Sequence, residues 1–203
     1  MGFLVNSFIE FPSDGTDFSD YYNNSTGWTL SSNMSISGGS FHYNAAPFTP
    51  ENSYKDMGIT LSDTLWYADY DYQQTADSNT DNWAYGIHIF SAGTANPRIS
   101  SSTDSISNQV IQNKSVFTYL LSARENTTNY NSAQSSAAAQ DTRYYLRNLR
   151  TSATGITLQM FDDEDRTSTF STALTRVIPS TITDLDTYQH ATGTGTQTSN
   201  ITA

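Results

Sequence analysis

Residues 65–72, LWYADYDY, alternate along the chain between large apolar and polar side chains. Successive side chains of a β-strand point to opposite faces, so one face of this stretch carries Trp66, Ala68, Tyr70 and Tyr72. The other face carries Tyr67, Asp69 and Asp71. A period of two with one apolar face is typical of a half-buried strand. The stretch therefore predicts a sheet with one side in a core and the other toward solvent.

Four further runs, all C-terminal to this stretch, have the same strand-like composition. They are WAYGIHIFS at 83–91, SVFTYLLSA at 115–123, RYYLRNLR at 143–150 and ITLQMF at 156–161. All are rich in β-branched and aromatic residues, and polar, turn-forming stretches separate them. Many short strands with turns between them predict an all-β chain: a two-sheet antiparallel β-sandwich (jelly roll) with little helix, and with residues 1–203 in a single domain.

Helical patterns are scarce in the chain. The Ala-rich run at 133–139 has no apolar stripe, so it predicts a loop or one helical turn. Residues 48–58, FTPENSYKDMG, have room for a second short helical turn that Pro50 opens.

The composition argues against several classes of function. Among 203 residues, 20 Asp plus Glu stand against 9 Lys plus Arg, for a formal net charge of −11. Such an acidic chain repels phosphate backbones, so we expect no nucleic-acid partner. The absence of Cys excludes disulfides, thiolate metal sites and a Cys nucleophile. No apolar run approaches the ~18 residues of a membrane helix, so we expect no membrane span.

Three separated segments together resemble the laminin-G-like, concanavalin A-like jelly-roll domains of microbial and viral proteins. Residues 16–44 are similar to the opening of such domains, with Asp-Phe, a Trp and a strand that ends in Gly-Gly. Residues 57–72 contain Leu-Ser-Asp-x-x-Trp, and residues 142–185 contain Tyr-Tyr, Arg-Thr-Ser, Asp-x-x-Arg and Ile-Pro-Ser. The resemblance implies a jelly roll that works outside the cell, on a cell surface or on a virion surface.

Domains of this resemblance usually close with a strand that carries Gly-x-Ile-Asp-Asp, which is not found in this sequence. Three alternatives are open. The chain is a piece of a longer polypeptide, or the apolar residues 3–11 take the place of the closing strand, or a neighbouring chain supplies it by strand exchange. The Thr/Gly-rich residues 192–203 predict a tail or loop.

The polar face of 65–72 carries candidates for sugar binding. Tyr67 offers an aromatic ring, and Asp69 and Asp71 offer acceptors for sugar hydroxyls. His88, on the predicted strand at 83–91, is the fourth candidate. The alternative for the first three is a solvated sheet face, and for His88 a packed, hydrogen-bonded residue.

The sequence predicts no catalytic residues, although an enzyme stays open as an alternative. Related glucanases carry their carboxylates on one strand as Glu-x-Asp-x-Glu, a spacing that the four Glu of this chain do not have. Asp69 and Asp71, about 6.5–7 Å apart along a strand, leave an inverting pair possible. The strand around His88 also resembles one of the jelly-roll alginate lyases, without that family's Gln or its Lys/Tyr partner strand.

Calcium is the cofactor that the sequence suggests. In DSNTDNW at 77–83, Asp77, Asn79 and Asp81 alternate like the first half of a calcium loop, without the Gly and Glu of an EF-hand. Asp17 is a further ligand candidate, because the resemblance places calcium between the first and last strands. The alternative is a metal-free turn, since Asp and Asn favour turns by themselves.

Taken together, these patterns predict a non-catalytic glycan-binding or adhesive surface module, extracellular or on a virion. Its partners are then glycans or a cell-surface polysaccharide. One alternative is a structural building block of a capsid, filament or surface layer, which assembles with copies of itself by strand or edge pairing. The second alternative is a polysaccharide-cleaving enzyme. Fold alone does not decide among the three.

Overall fold

All regular secondary structure that the computed structural model describes is β-strand. The described residues are 7–10, 18–20, 22, 24–43, 50–73, 83–97, 103–113, 116–192 and 201–202. In chain order the strands are β1 (Ser7–Glu10), β2 (Phe18–Asp20), β3 (Trp28–Thr29), β4 (Met34–Ser37), β5 (Ser40–Tyr43), β6 (Asn52–Asp56), β7 (Trp66–Gln73), β8 (Trp83–Ser91), β9 (Ser105–Asn113), β10 (Val116–Glu125), β11 (Thr128–Gln134), β12 (Arg143–Ser152), β13 (Gly155–Phe161), β14 (Thr169–Val177), β15 (Thr187–Thr192) and β16 (Ile201–Thr202). In this part of the chain no helix is long and apolar enough to cross a membrane.

The strands form two antiparallel sheets. Among the described residues, the first sheet has nine strands in the order β14-β13-β12-β7-β16-β5-β4, and β1 pairs with both β7 and β2. The second sheet has seven strands in the order β11-β10-β9-β8-β15-β6-β3. The prediction of an all-β, two-sheet antiparallel sandwich is confirmed.

The core lies between the sheets and contains the apolar face of β7. Trp66, Ala68, Tyr70 and Tyr72 are each 1% exposed, as the alternation of 65–72 predicts. The ring of Trp66 meets Phe90 of β8 edge-to-face, with centroids 5.1 Å apart. Aromatic rings therefore join the two sheets, and burial of their apolar area is the main force that holds the layers together.

The five predicted runs correspond to β7, β8, β10, β12 and β13. The helical turn expected within 48–58 is wrong, because Asn52–Asp56 forms β6 and pairs with β15 in the second sheet. Cross-strand pairing there overrides a local helical signal that is too short to persist alone. The Ala-rich run at 133–139 contains no helical turn either, and Ala138 forms a β-bridge with Phe117.

A tight hairpin joins β4 and β5, at the Gly-Gly that the sequence predicts as the end of a strand. Ser37 pairs with Ser40, so the loop consists of Gly38 and Gly39 alone. Both glycines have positive φ, 58° and 76°. Two-residue hairpins need this conformation, which matches the twist of the flanking strands and which only glycine adopts freely.

Parts of the apolar N-terminal stretch and of the Thr/Gly-rich C-terminal stretch take part in the first sheet. Ser7–Glu10, within the apolar residues 3–11, forms β1 and pairs with β7 of the same chain. Ile201–Thr202, within the predicted tail 192–203, forms β16 and pairs with β5 and β7. Residues 193–200 lie outside the described residues, and the three alternatives stay predictions.

Candidate functional site

Tyr67 and Asp69 lie side by side on the outer face of the first sheet, where Arg147 of β12 engages both. Asp69 Oδ1 and Oδ2 accept hydrogen bonds from Arg147 Nε and Nη2 at 2.6 Å each. The guanidinium carbon of Arg147 is 5.0 Å from the centre of the Tyr67 ring, a cation–π distance. Arg166 Nε lies 3.6 Å from the same Asp69 carboxylate. Arginine side chains therefore already occupy this polar face.

Asp71, on the same strand face, is buried and forms an ion pair with Arg143. Asp71 Oδ2 is 2.8 Å from Arg143 Nη1. Burial raises the pKa of the Asp71 carboxyl to about 6, against the lowering effect of Arg143 and Arg166. The cost of desolvation thus exceeds the attraction of the arginines, and this carboxyl exchanges a proton near pH 6.

His88 lies between the sheets, behind the strand that bears the other three predicted residues. Its side chain is fully buried, and its ring stacks on Tyr70 at a centroid distance of 3.7 Å. Tyr70 and Asp71 are neighbours on β7 and point to opposite faces. The structure therefore brings Tyr67 and Asp69 together, with Asp71 next along the strand, and separates His88 from them.

The backbone at His88 explains part of this placement. The residue has a φ of 52°, and the register of β8 against β9 shifts between Ile87 and Ile89. Such a register shift arises where one strand has an extra residue, a β-bulge, which bends the strand and redirects its side chains. A left-handed φ at a residue other than glycine is strained, so the surrounding contacts hold it in place.

His88 belongs to a buried polar network with Tyr22, Tyr188 and His190. The Tyr188 hydroxyl is hydrogen-bonded to His88 Nδ1. The Tyr22 hydroxyl lies 2.8 Å from the Tyr188 hydroxyl and 2.8 Å from His190 Nε2. Burial lowers the pKa of His190 to about 3. Burial, followed by the nearby His190, also lowers the pKa of His88 well below its usual range. Both imidazoles are therefore neutral at physiological pH and act as structural groups in the core.

The predicted calcium ligands lie outside the described residues. They are Asp77, Asn79, Asp81 and Asp17. Within the described ranges, no group of three or more His, Asp or Glu side chains is arranged to hold a metal ion. Calcium stays a prediction.

A groove that the sequence analysis did not predict lies over the outer face of the second sheet. Its volume is about 220 Å³. Its lining is predominantly hydroxyl and carboxamide side chains, and we call it the second-sheet groove: Ile89, Pro97, Ser105, Ser107, Gln109, Ser122, Arg124, Asn129 and Asn131.

The lining residues follow the register of four adjacent strands. Ser107 of β9 pairs with Ile89 of β8 on one side and with Ser122 of β10 on the other. Ser122 in turn pairs with Asn131 of β11. Because directly opposed residues share a face, these four side chains form a row across the sheet.

The loop at 92–97 contributes Pro97 to the lining of the second-sheet groove and is fixed to the sheet. Gln189 Nε2 donates hydrogen bonds to Ser91 Oγ at 2.6 Å and to Gly93 O at 2.7 Å. Asn96 Nδ2 donates to Glu51 O at 3.1 Å. These bonds tie the loop to β8, to β15 and to the residue before β6, so Pro97 is held in place before any ligand arrives.

Most of the polar groups in the second-sheet groove have no partner within the described part of the chain. The hydroxyls of Ser105 and Ser107 and the carboxamides of Gln109 and Asn129 make no side-chain hydrogen bond there. Asn131 Oδ1 accepts a bond from Ser122 Oγ at 2.7 Å, which leaves the Asn131 amide nitrogen available. Unpaired donors and acceptors in a concave site are the arrangement that a polar ligand requires.

The signal for this groove was present in the alternation of β9. Ser105, Ser107 and Gln109 alternate with Ile106, Asn108 and Val110. The inward face of this strand contains a polar residue, Asn108, which is fully buried. A polar residue at a core position breaks the apolar stripe from which a half-buried strand is recognised, and β9 was missed for this reason.

Comparison with known proteins finds only weak structural similarity. No protein-family model and no curated protein matches the chain. Among solved structures, sheep galectin-11 in complex with glycerol matches with a TM-score of 0.38 and 7% identity, over 78% of this chain and 98% of that one. A protein of unknown function from Shewanella oneidensis MR-1 matches with a TM-score of 0.32 and 10% identity, over 94% of this chain and 87% of that one. At these values the likeness concerns the β-sandwich, and nothing about a ligand follows from it.

Proposed function

We propose that the chain is a non-catalytic glycan-binding or adhesive module, extracellular or on a virion, and that the second-sheet groove holds the saccharide. The observation that carries this proposal is the set of unpaired hydroxyl and carboxamide groups on adjacent strands of a preformed concavity. Ser107, Gln109 and Asn131 offer both donors and acceptors, as sugar hydroxyls do.

The outer face of the first sheet supports glycan binding less well. The Tyr67 ring is covered by Arg147, and the Asp69 carboxylate is held by the same guanidinium. A sugar would have to displace these contacts before it met the ring or the carboxylate. His88 is fully buried, so a glycan outside the sandwich cannot touch it.

The groove also supports a binding role over a catalytic one. The described residues that line it include no Asp or Glu, whereas glycoside hydrolysis uses a pair of carboxylates on either side of the bond. A shallow site built from neutral hydrogen bonds binds weakly by itself, and several copies on one surface would compensate by multivalency.

The double variant Gln109→Ala, Asn131→Ala is expected to bind its glycan about tenfold more weakly than the wild type. Each substitution removes one neutral hydrogen bond of the usual strength. A glycan array identifies the ligand, and an NMR titration of both proteins with the strongest hit measures the loss. Tyr67→Ala on the first sheet is the matched control and should bind like the wild type. Retained binding by the groove variant together with loss in Tyr67→Ala would move the site to the first sheet.

The proposal also includes a calcium ion that binds the loop at 77–83 and stabilises it. Repeating the array in the presence of a chelator tests it. Binding that disappears with chelator and returns with added calcium supports ligation by Asp77, Asn79 and Asp81, whereas unchanged binding argues against it.

A second candidate function, assembly through sheet edges, is favoured by the exposed strands β11 and β14. They stand at the ends of the two described strand orders and flank a cleft of about 490 Å³. β11 contains no charged residue or Pro of the kind that protects an edge from pairing, and β14 contains one, Arg176. Val177 at the end of β14 is 75% exposed. Such an edge is suited to pairing with another copy.

If the edges drive assembly, the protein is expected to sediment as a dimer or larger species at about 100 µM. Thr175→Lys, Val177→Lys should return it to a monomer, because two charges on an edge strand oppose strand addition. Analytical ultracentrifugation of both proteins measures the change. A wild-type monomer at this concentration, or a variant that assembles equally well, contradicts the building-block function.

A further inference from the structure

Among the nine described residues that line the second-sheet groove, Arg124 is the one with a charge. The chain as a whole carries 20 Asp plus Glu against 9 Lys plus Arg. A groove whose described lining has one cation and no carboxylate is therefore opposite in charge to the average surface of this protein. Local charge of this kind selects ligands by sign.

The guanidinium of Arg124 is held in a fixed orientation by backbone carbonyls. Nε donates to Asn126 O at 2.8 Å, and Nη1 donates to Pro97 O at 2.7 Å. One bond comes from the hairpin after β10, and the other comes from the loop at 92–97. Because both bonds are to neutral carbonyls, they position the guanidinium and leave its positive charge uncompensated.

The second terminal nitrogen, Nη2, makes no hydrogen bond within the described residues, and no carboxylate there forms an ion pair with Arg124. Glu125, the next residue on β10, accepts hydrogen bonds from the Thr181 and Tyr130 hydroxyls. Asp104, just before β9, accepts one from the Asn126 backbone at 3.1 Å. In contrast, Arg143 and Arg147 on the first sheet contact aspartates at 2.8 and 2.6 Å. Arg124 thus has a fixed orientation, and its Nη2 is available as a hydrogen-bond donor.

The neighbours of Arg124 are suited to the remainder of a sugar ring. Ser105 and Asn129 pair with it across β9 and β11, and both have unpaired polar groups. An anionic group at Arg124 would leave the ring hydroxyls within the row formed by Ser107, Ser122 and Asn131.

We propose that the second-sheet groove selects acidic saccharides, and that Arg124 binds the anionic substituent, a carboxylate or a sulfate. This inference rests on the proposed glycan-binding function and specifies its ligand class. The oxygens of either group accept N–H donors in charge-assisted hydrogen bonds, which are stronger than neutral ones.

The test is a titration of the wild-type protein with three oligosaccharides of the same length and linkage: a neutral one, its uronic-acid form and its sulfated form. At least one acidic form is expected to bind about tenfold more tightly than the neutral one at 0.15 M NaCl. Comparison of the affinities for the uronic-acid form and the sulfated form shows which anion the groove prefers. In 0.5 M NaCl the advantage should shrink, because salt screens a partly exposed charge.

Arg124→Gln is expected to abolish the preference, so that this variant binds the neutral and the acidic oligosaccharides with equal affinity. Arg124→Lys should restore part of the preference, because it returns the charge without the planar fork. Arg147→Gln, on the first sheet, is the control for net charge and should keep the full preference. Equal wild-type binding of neutral and acidic sugars overturns this inference and leaves the glycan function standing. Binding of none of the three overturns both. The wild-type comparison is decisive even if an Arg124 variant fails to fold.

Discussion

The free energy of unfolding is expected to fall between pH 6 and pH 4. In Asp71→Asn the fall should be larger than in the wild type by about 2 kcal/mol, and in His190→Gln it should be smaller by about 2.5 kcal/mol. The two substitutions thus change the acid sensitivity in opposite directions, although both residues lie inside the same sandwich.

Proton uptake by His88 and His190 in the unfolded state causes the loss of stability in acid. An imidazole in the unfolded chain takes up a proton at its ordinary pKa of about 6.5. Burial lowers the pKa of His190 to about 3, and that of His88 well below its usual range. Over pH 6 to 4 the unfolded state therefore binds more protons than the folded state, so stability decreases as the pH falls. His190 contributes about 2.5 kcal/mol to this loss over the range, and His88 contributes in the same direction.

Asp71 opposes the histidines over the same interval. Its pKa in the folded state is raised to about 6, above the ordinary value of 3.8, because the carboxyl is buried. The folded state here binds the proton first, so the stability contributed by Asp71 increases as the pH falls from 6 toward 3.8. Without this carboxyl, the effect of the two histidines is no longer masked.

Urea denaturation at pH 6, 5 and 4 on the three proteins measures these slopes. The comparison depends on the change with pH and not on the stability at any one pH, so a uniformly destabilising substitution does not disturb it. A His190→Gln protein with the wild-type slope would show that the imidazole takes up a proton while folded. Equal slopes in Asp71→Asn and the wild type would show that the carboxylate stays charged down to pH 4.

The regular parts of the fold were predictable where one face of a strand is apolar and the other polar. Residues 65–72 meet this condition, so their alternation alone predicts which side chains face the core. In 83–91 both faces carry apolar side chains, so alternation alone does not tell which face is packed. The sequence therefore does not decide whether His88 binds a glycan or packs in the core. The β-bulge that sets its orientation depends on pairing with β9 and β15.

The candidate site was not predictable because its parts meet through long-range register. Ser107, Ser122 and Asn131 are unremarkable in sequence, and they form a row once β9, β10 and β11 pair in one alignment. The same holds for the outer face of the first sheet. Asp69 and Asp71 look like free acceptors until pairing with β12 brings Arg147 and Arg143 across from them. Charge pairing between distant strands is not encoded in the local pattern.

Trp66→Ala is expected to lower the free energy of unfolding by about 3–5 kcal/mol, the usual cost of removing a buried tryptophan side chain. Trp66 is 1% exposed and lies edge-to-face on Phe90 of the opposite sheet. Its loss leaves a cavity at the contact between the layers, which a rigid pair of sheets cannot close completely. Urea denaturation at pH 7 measures the shift in midpoint.

Tyr67→Ala, one residue along the same strand, is the matched control. Tyr67 faces outward, and its main contact is the guanidinium of Arg147 at 5.0 Å, which is worth about 0.5–1 kcal/mol at an exposed site. The expected loss is therefore several-fold smaller than for Trp66, although both substitutions remove a large ring. If Trp66→Ala does not fold, Trp66→Phe provides a milder change at the same position. Equal losses at positions 66 and 67 would mean that the alternation of this strand does not separate core from solvent, and the two-layer sandwich would lose its physical basis.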